Sequence, residues 1–341
     1  MSQLFYVGGY QKTDTECLYL CEYSDNHLQI IESYNLSNAS YLCMSEDKKN
    51  LYAVIETDVF NNRHGGGVAA FSIEQDGRLR LLNVSQTEGA HPCHLSVCSK
   101  NRKLYAANYS GGSSIIFNLQ NDGSIGSKNR LIRHSDFGKP SGVVDKRQDS
   151  AHGHYIQCRD TNTLWVCDLG LDLVLVLDPE GNKLTRLSMP DGFGPRHIDF
   201  HPNLPVAYVV GELGQAIIEI RYCNQKFETS PPIPVSPHAK VSCGAIRVAP
   251  CGKFLLTSNR GDISSLSVLT LDDIGRITGL LNIYETEGKC PRDFVFSPIG
   301  NEVFVAYQDS DYIEVLDWLV NGKLTPKPLK LTLQKPTCIL F

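Results

Sequence analysis

Arginines, glutamates and histidines recur in this chain at equivalent places of a repeated unit. Together they suit the capture of an anion with an acid–base pair beside it. Arg196, Arg260 and Arg292 carry planar guanidinium forks that fit a carboxylate or a phosphate. Glu212 and the histidines His94, His152 and His154 can move protons near neutral pH once burial and neighbouring charge tune their pKa values. Glu56 and Gln308 stand at the same place in their units as Glu212 and Arg260. Any one of these residues is accounted for by a polar loop that meets water or by a bond to a loop carbonyl. The argument for function is the mixture of charge types drawn from adjacent units.

The unit that positions them is read from spacing. Short apolar runs open at Leu42-Cys43-Met44, Leu95-Ser96-Val97, Tyr155-Ile156-Gln157, Ile198-Asp199-Phe200, Ile246-Arg247-Val248 and Phe294-Val295-Phe296. Each is followed, without a gap in alignment, by a second run led by Tyr52, Tyr105, Trp165, Tyr208, Leu256 or Phe304. The units start about 43 to 60 residues apart, the range of propeller blades. Third and fourth runs follow around Asp76-Gly77, Asp122-Gly123, Glu180-Gly181 and Asn321-Gly322, which read as hairpin turns.

Four antiparallel strands per unit predict an all-β fold, a β-propeller. Six units leave both ends over. Residues 337–341 resemble a first strand, and Leu4-Phe5-Tyr6-Val7 a second, so their pairing predicts a seventh blade that closes the ring. Residues 1–341 are then a single propeller domain. No stretch sustains a helical period.

Within a blade, strand one starts and strand two ends on the same face, beside the central channel. The strand-one starts read Ser40, Cys93, Gly153, Arg196, Gly244, Arg292 and Thr337, followed by Tyr41, His94, His154, His197, Ala245, Asp293 and Cys338. The strand-two ends read Glu56, Tyr109, Leu169, Glu212, Arg260, Gln308 and, in the closing blade, Tyr10. The candidate site therefore lies at one channel mouth. Residues 131–150 fall outside the repeat and read as an extended loop feeding the third full blade.

Composition narrows the partners. The net charge is −5 with the two signs interspersed, so no basic stripe invites nucleic acid. No apolar run is long enough to span a membrane, and the first residues lack the pattern of a signal peptide. Most of the twelve cysteines lie inside strand patterns and lack zinc-site spacing. They read as free thiols of a cytoplasmic protein, with no disulfide and no metal. Oligomeric state is not encoded in these features.

Gly194-Pro195-Arg196-His197, then Phe200-His201-Pro202 and Gly211-Glu212-Leu213, then Ser258-Asn259-Arg260-Gly261 and Cys290-Pro291-Arg292-Asp293-Phe294 resemble the seven-bladed lactonase family. That family includes propeller-type 6-phosphogluconolactonases and carboxy-cis,cis-muconate cyclases. The resemblance runs from Phe5-Tyr6-Val7-Gly8-Gly9-Tyr10 to the closing strand. The cyclases use a His, an Arg, a Glu and a second Arg, which by motif fall on His154, Arg196, Glu212 and Arg260. Ala151 stands where relatives often carry Pro, so either His152 or His154 fits the histidine, with His154 preferred by its alignment with His197.

The resemblance implies a hydrolase acting on a small anionic sugar lactone such as 6-phosphogluconolactone. The catalytic set would be His154, Arg196, Glu212 and Arg260, with His152, Arg292, Gln308 and His94 binding substrate. Because the arginines supply the positive charge, the scheme calls for no metal and no cofactor. Two other readings remain at this point: a muconate-type lactonising cyclase, or a non-catalytic interaction propeller. The recurring Gly-His and Trp-Asp signatures of WD-repeat scaffolds are missing, since only Trp165 and Trp318 occur and neither fits them.

Overall fold

The computed structural model describes residues 2–10, 16–24, 27–238 and 241–341. Each alternating run forms a strand, and the strands assemble as seven antiparallel sheets, each built in sequence order around a common channel. Six sheets fall in residues 42–86, 92–133, 153–188, 195–234, 241–285 and 291–332. The seventh joins the ends: Pro336–Leu340 pairs with Gln3–Gly9, with Ile339 opposite Val7 and Cys338 opposite Gly8. The chain is thus an all-β, seven-bladed propeller closed by its two termini. A two-stranded hairpin, Val59–Phe60 with Arg63–His64, is an addition to the first blade that the repeat does not announce.

Apolar residues on the strand faces meet between blades. The described residues form seven buried clusters, one at each blade–blade contact. The one at the closure combines Phe5, Val7 and Ile339 with Phe304 and Val315 of the sixth blade. The aromatic that leads strand two has a second task. Tyr6, Tyr52 and Tyr208 are buried and donate their hydroxyls to Gly77, Gly123 and Gly275 carbonyls in the turn of the next blade, at 2.7, 2.9 and 2.6 Å. A buried phenol needs such a partner, so each turn is pinned to its neighbour.

The Asp-Gly turns differ from a hairpin with two left-handed residues. Only the glycine is left-handed, with φ of 82° at Gly77 and 85° at Gly123, while Asp76 and Asp122 are not. Gly123 N–H donates to the Gln120 carbonyl and Gln120 N–H to the Ser124 carbonyl. This is an ordinary turn closed by a glycine bulge, which suits the twist of the strands.

Candidate active site

The start of strand one is not regular. In five of the blades one residue is skipped by the pairing between strands one and two, forming a β-bulge. The skipped residues are Cys93, His154, Arg196, Arg292 and Thr337. A bulge turns a side chain out of the alternating pattern and commonly lies beside a functional site. All five of these side chains line one small cavity in the channel, together with Glu56, His197 and Asp293.

The third blade corrects the repeat alignment. Its first hairpin pairs Gln157 with Trp165, where the second blade pairs Ser96 with Tyr105. The turn is one residue tighter, with Asp160 and Thr161 both left-handed. Consequently His154, not Gly153, occupies the place of Arg196, and Tyr155, not His154, occupies the place of His197.

Glu212 is the centre of the cluster. Its Oε2 lies 3.0 Å from Arg196 Nε, 3.0 Å from Arg260 Nη2 and 3.5 Å from His154 Nε2. Its Oε1 lies 2.5 Å from Arg147 Nη2. The Arg196 Nε–H is close but not aimed along a hydrogen bond, so that contact is chiefly Coulombic. Arg196 is held instead by donating from Nη1 to the Gly244 carbonyl at 2.8 Å. Arg260 Nη2 donates to the Cys243 carbonyl at 2.7 Å and to Ser242 Oγ at 3.0 Å.

Burial works to raise the Glu212 pKa, but the guanidiniums of Arg260, Arg196 and Arg147 outweigh it and hold the carboxyl well below its usual range. His154 is driven the other way. Burial first, then Arg196, keep its pKa well below 6.5 against the pull of Glu212, so the imidazole is neutral. Burial, with Arg260 and Arg292 beside it, pushes Arg196 down to about 10, which leaves it charged at neutral pH.

A second polar chain faces this one. Arg292 Nη2 donates to Tyr10 Oη at 3.1 Å, and the Tyr10 hydroxyl donates to Glu56 at 3.0 Å. Ser40 Oγ also donates to Glu56. Between the two chains the cavity is about 10 Å³, room for roughly one water.

The structure therefore brings together His154, Arg196, Glu212 and Arg260, and Arg292 lines the small cavity that His154 and Arg196 also line. His152 stands one layer out. It stacks on Tyr109 with ring centroids 4.6 Å apart, and Tyr109 accepts from Arg147 at 3.2 Å. Gln308 donates from its amide to Asp309 at 3.0 Å, while its Oε1 is buried without a partner among the described residues. His94 lines a different cavity, of about 470 Å³, at the opposite mouth with Tyr41, Tyr155, Asp199 and Arg247. Its one lining arginine, Arg247, is paired with Asp293 at 3.0 Å, whereas three guanidiniums converge on Glu212 in the other cluster. Placing His94 beside the arginines is thus corrected by geometry. Arg147 is the residue that spacing missed. It sits in the non-repeat stretch, where no register points to it.

A buried Ser114–His134–Asp168 chain has the bonds of a hydrolytic triad: Ser114 Oγ to His134 Nε2 is 2.9 Å, and His134 Nδ1 to Asp168 Oδ2 is 2.7 Å. All three have no exposed surface and line neither of the two cavities, so no substrate reaches the hydroxyl. Asp168 Oδ1 accepts the N–H groups of His152 and Leu171 at 3.0 and 2.9 Å. The chain anchors the His152 segment to the second and third blades.

This fold and site agree with comparison to known proteins. The family model described as lactonase, 7-bladed beta-propeller, matches residues 4–341, and the chain belongs to that family. A protein named 6-phosphogluconolactonase in Bacillus subtilis (strain 168) is 29% identical over 98% of this chain and 97% of its own length. An uncharacterized Lactococcus lactis protein is 32% identical over 100% of this chain and 99% of its own. The structure of a periplasmic gluconolactonase from Pseudomonas aeruginosa superposes with a TM-score of 0.91 at 27% identity, covering 99% of this chain and 98% of that one. No helix among the described residues is long and apolar enough to cross a membrane.

Proposed function

We propose that the protein hydrolyses a small anionic sugar lactone of the 6-phosphogluconolactone type, using Glu212 and His154 for proton transfer among bound arginines. The observation that carries this reading is the buried Glu212 carboxylate, kept ionised by guanidiniums with a neutral imidazole 3.5 Å away. The name of the Bacillus subtilis relative supports the substrate class.

In this scheme a water attacks the lactone carbonyl carbon and loses a proton to Glu212 or His154. Negative charge grows on the carbonyl oxygen, facing Arg196, Arg260 and Arg292. The bond from the carbonyl carbon to the ring oxygen then breaks, and the proton passes to that oxygen as it becomes a hydroxyl. The product is the open hydroxy acid, which ionises at neutral pH. One preorganised donor at the oxyanion contributes about 3 kcal/mol. The scheme uses no metal and no cofactor. The twelve unpaired cysteines suit a reducing compartment, and on that ground we place the activity in the cytoplasm.

The test is a pH-stat assay with freshly made 6-phosphogluconolactone. Proton release above the spontaneous rate, lost in Glu212→Gln, is the expected result. A wild-type protein inactive on sugar lactones but able to lactonise a muconate would overturn it and select the cyclase chemistry.

A further inference from the structure

The two oxygens of Glu212 are held differently. Oε2 is surrounded by Arg196, Arg260 and His154, whereas Oε1 is capped by Arg147 at 2.5 Å. The capping arginine is also the most exposed of the three around Glu212. Its side chain is 40% exposed, against 2% for Arg196 and 12% for Arg260. Arg196 and Arg260 are bonded to backbone carbonyls. Arg147 has no such tie among the described residues; besides Glu212 its guanidinium donates to the Tyr109 hydroxyl, at 3.2 and 3.3 Å.

The backbone beneath it is nevertheless fixed. Gln148 is buried, donates to the Leu169 carbonyl at 2.9 Å and accepts from Val144 N–H at 3.3 Å. A short turn thus presents one cation at the mouth from the stretch that no other blade repeats.

We propose that Arg147 is an exchangeable counter-ion that sets substrate specificity: an anionic group on the lactone draws its guanidinium off Glu212 Oε1 and frees that oxygen to accept a proton from water. The inference rests on the lactonase reading above and deepens it. The exchange swaps one ion pair for another, so it avoids leaving a charge unpaired. A phosphate, close to a dianion at neutral pH with three acceptor oxygens, competes for a guanidinium better than a neutral hydroxyl does. A neutral lactone offers no such partner, and Oε1 stays capped. Withdrawing one positive charge also makes the carboxylate a stronger base, since a nearby cation favours the ionised form. Binding of the correct substrate then switches on the base that activates the attacking water.

A purely structural ion pair is the competing account. A pair with one partner this exposed adds little to stability, so the two accounts separate on kinetics rather than on folding. The experiment compares kcat/KM for 6-phosphogluconolactone and for neutral gluconolactone in wild type, Arg147→Ala and Arg147→Lys. It adds inorganic phosphate as a separate piece during turnover of the neutral lactone. In Arg147→Ala the phosphorylated lactone is expected to lose about tenfold or more and the neutral one to gain severalfold, collapsing the preference, with Arg147→Lys between. Phosphate is expected to accelerate the neutral lactone in wild type and not in Arg147→Ala. A preference ratio in Arg147→Ala within about twofold of wild type, or phosphate that only inhibits both proteins, overturns the inference. If Arg147→Ala fails to fold, the phosphate effect on wild type decides alone. A wild type inactive on both lactones sinks the hydrolase reading itself, a result distinct from an active enzyme whose preference ignores Arg147.

Discussion

His154 and Arg196 occupy one and the same place in successive blades: each is the extra residue of a β-bulge, and both side chains reach the Oε2 oxygen of Glu212. The bulge supplies what a regular strand cannot. Alternation would send neighbouring side chains to opposite faces. With one residue skipped, Arg196 and His197 both line the channel cavity. A site made this way is rigid, because each bulge lies between paired strands.

Arg196→Ala is therefore expected to cost both stability and rate. The side chain is buried, bonded to the Gly244 carbonyl and set against Glu212. Glu212 keeps Arg260 and Arg147, so the loss is partial, about 2 kcal/mol by chemical denaturation. Turnover should fall about a hundredfold if the guanidinium faces the oxyanion. Wild-type kinetics with the same loss of stability would remove Arg196 from the mechanism.

Stability should fall as the pH drops below about 6.5, well before carboxylates protonate. His94, His154 and His197 are all buried, and burial, with arginines nearby, holds each pKa well below 6.5. The unfolded chain takes up those protons from about pH 6.5 downward while the folded chain does not, so acid favours unfolding. Each imidazole contributes up to about 1.4 kcal/mol per pH unit within that window. Glu212, depressed, adds its own loss once the pH falls below the ordinary carboxylate pKa. Asp199 and Asp293, raised by burial, act in the opposite sense, because the folded chain protonates them before the unfolded chain does. Melting temperatures between pH 7.5 and 5.5 measure the slope, and a flat profile would contradict the buried, neutral state of the histidines.

The repeat made the blades and the closure legible, because strand, turn and aromatic recur at fixed offsets along the chain. It also placed Arg196, Glu212 and Arg260 on one mouth, since strand starts and ends share a face. What it hid was the one-residue change of register at the Asp160-Thr161 turn, which leaves the letters aligned and moves the side chains. His94 was misassigned for a related reason: its alignment partner His154 is a bulge residue, whereas His94 itself pairs with Ala107. Arg147 had no register to betray it, and only the folded path of residues 131–150 brings it to Glu212.

Removing residues 336–341 should open the ring. Ile339 is buried in the contact between the closing and sixth blades, and its N–H donates to Asp293 at 3.1 Å. Phe341 packs on Phe5 and Phe304 with ring centroids 5.1 and 5.0 Å apart. Without this strand, Gln3–Gly9 becomes an exposed edge able to pair with another chain. Loss of cooperative melting, or aggregation in size-exclusion chromatography, is the expected outcome. A truncated monomer that melts like wild type would refute the closure as a source of stability.

Glu212→Gln should separate the electrostatic from the chemical role of the carboxylate. The amide nearly preserves shape but removes the charge that Arg196, Arg260 and Arg147 surround. Arg196 is buried and Arg260 largely so, and a buried cation without its partner costs about 3 to 5 kcal/mol. The variant should thus be clearly less stable than wild type, although it loses only one atom's identity. A small anion can restore part of that balance. Added inorganic phosphate or gluconate should raise the melting temperature of Glu212→Gln more than that of wild type, by the ordinary linkage between binding and stability. Lactone turnover should stay at the spontaneous rate under the same conditions, because the anion replaces the charge but not the base. If the substitution left stability unchanged and anions protected both proteins equally, Glu212 would not be the counter-charge of the arginine cluster.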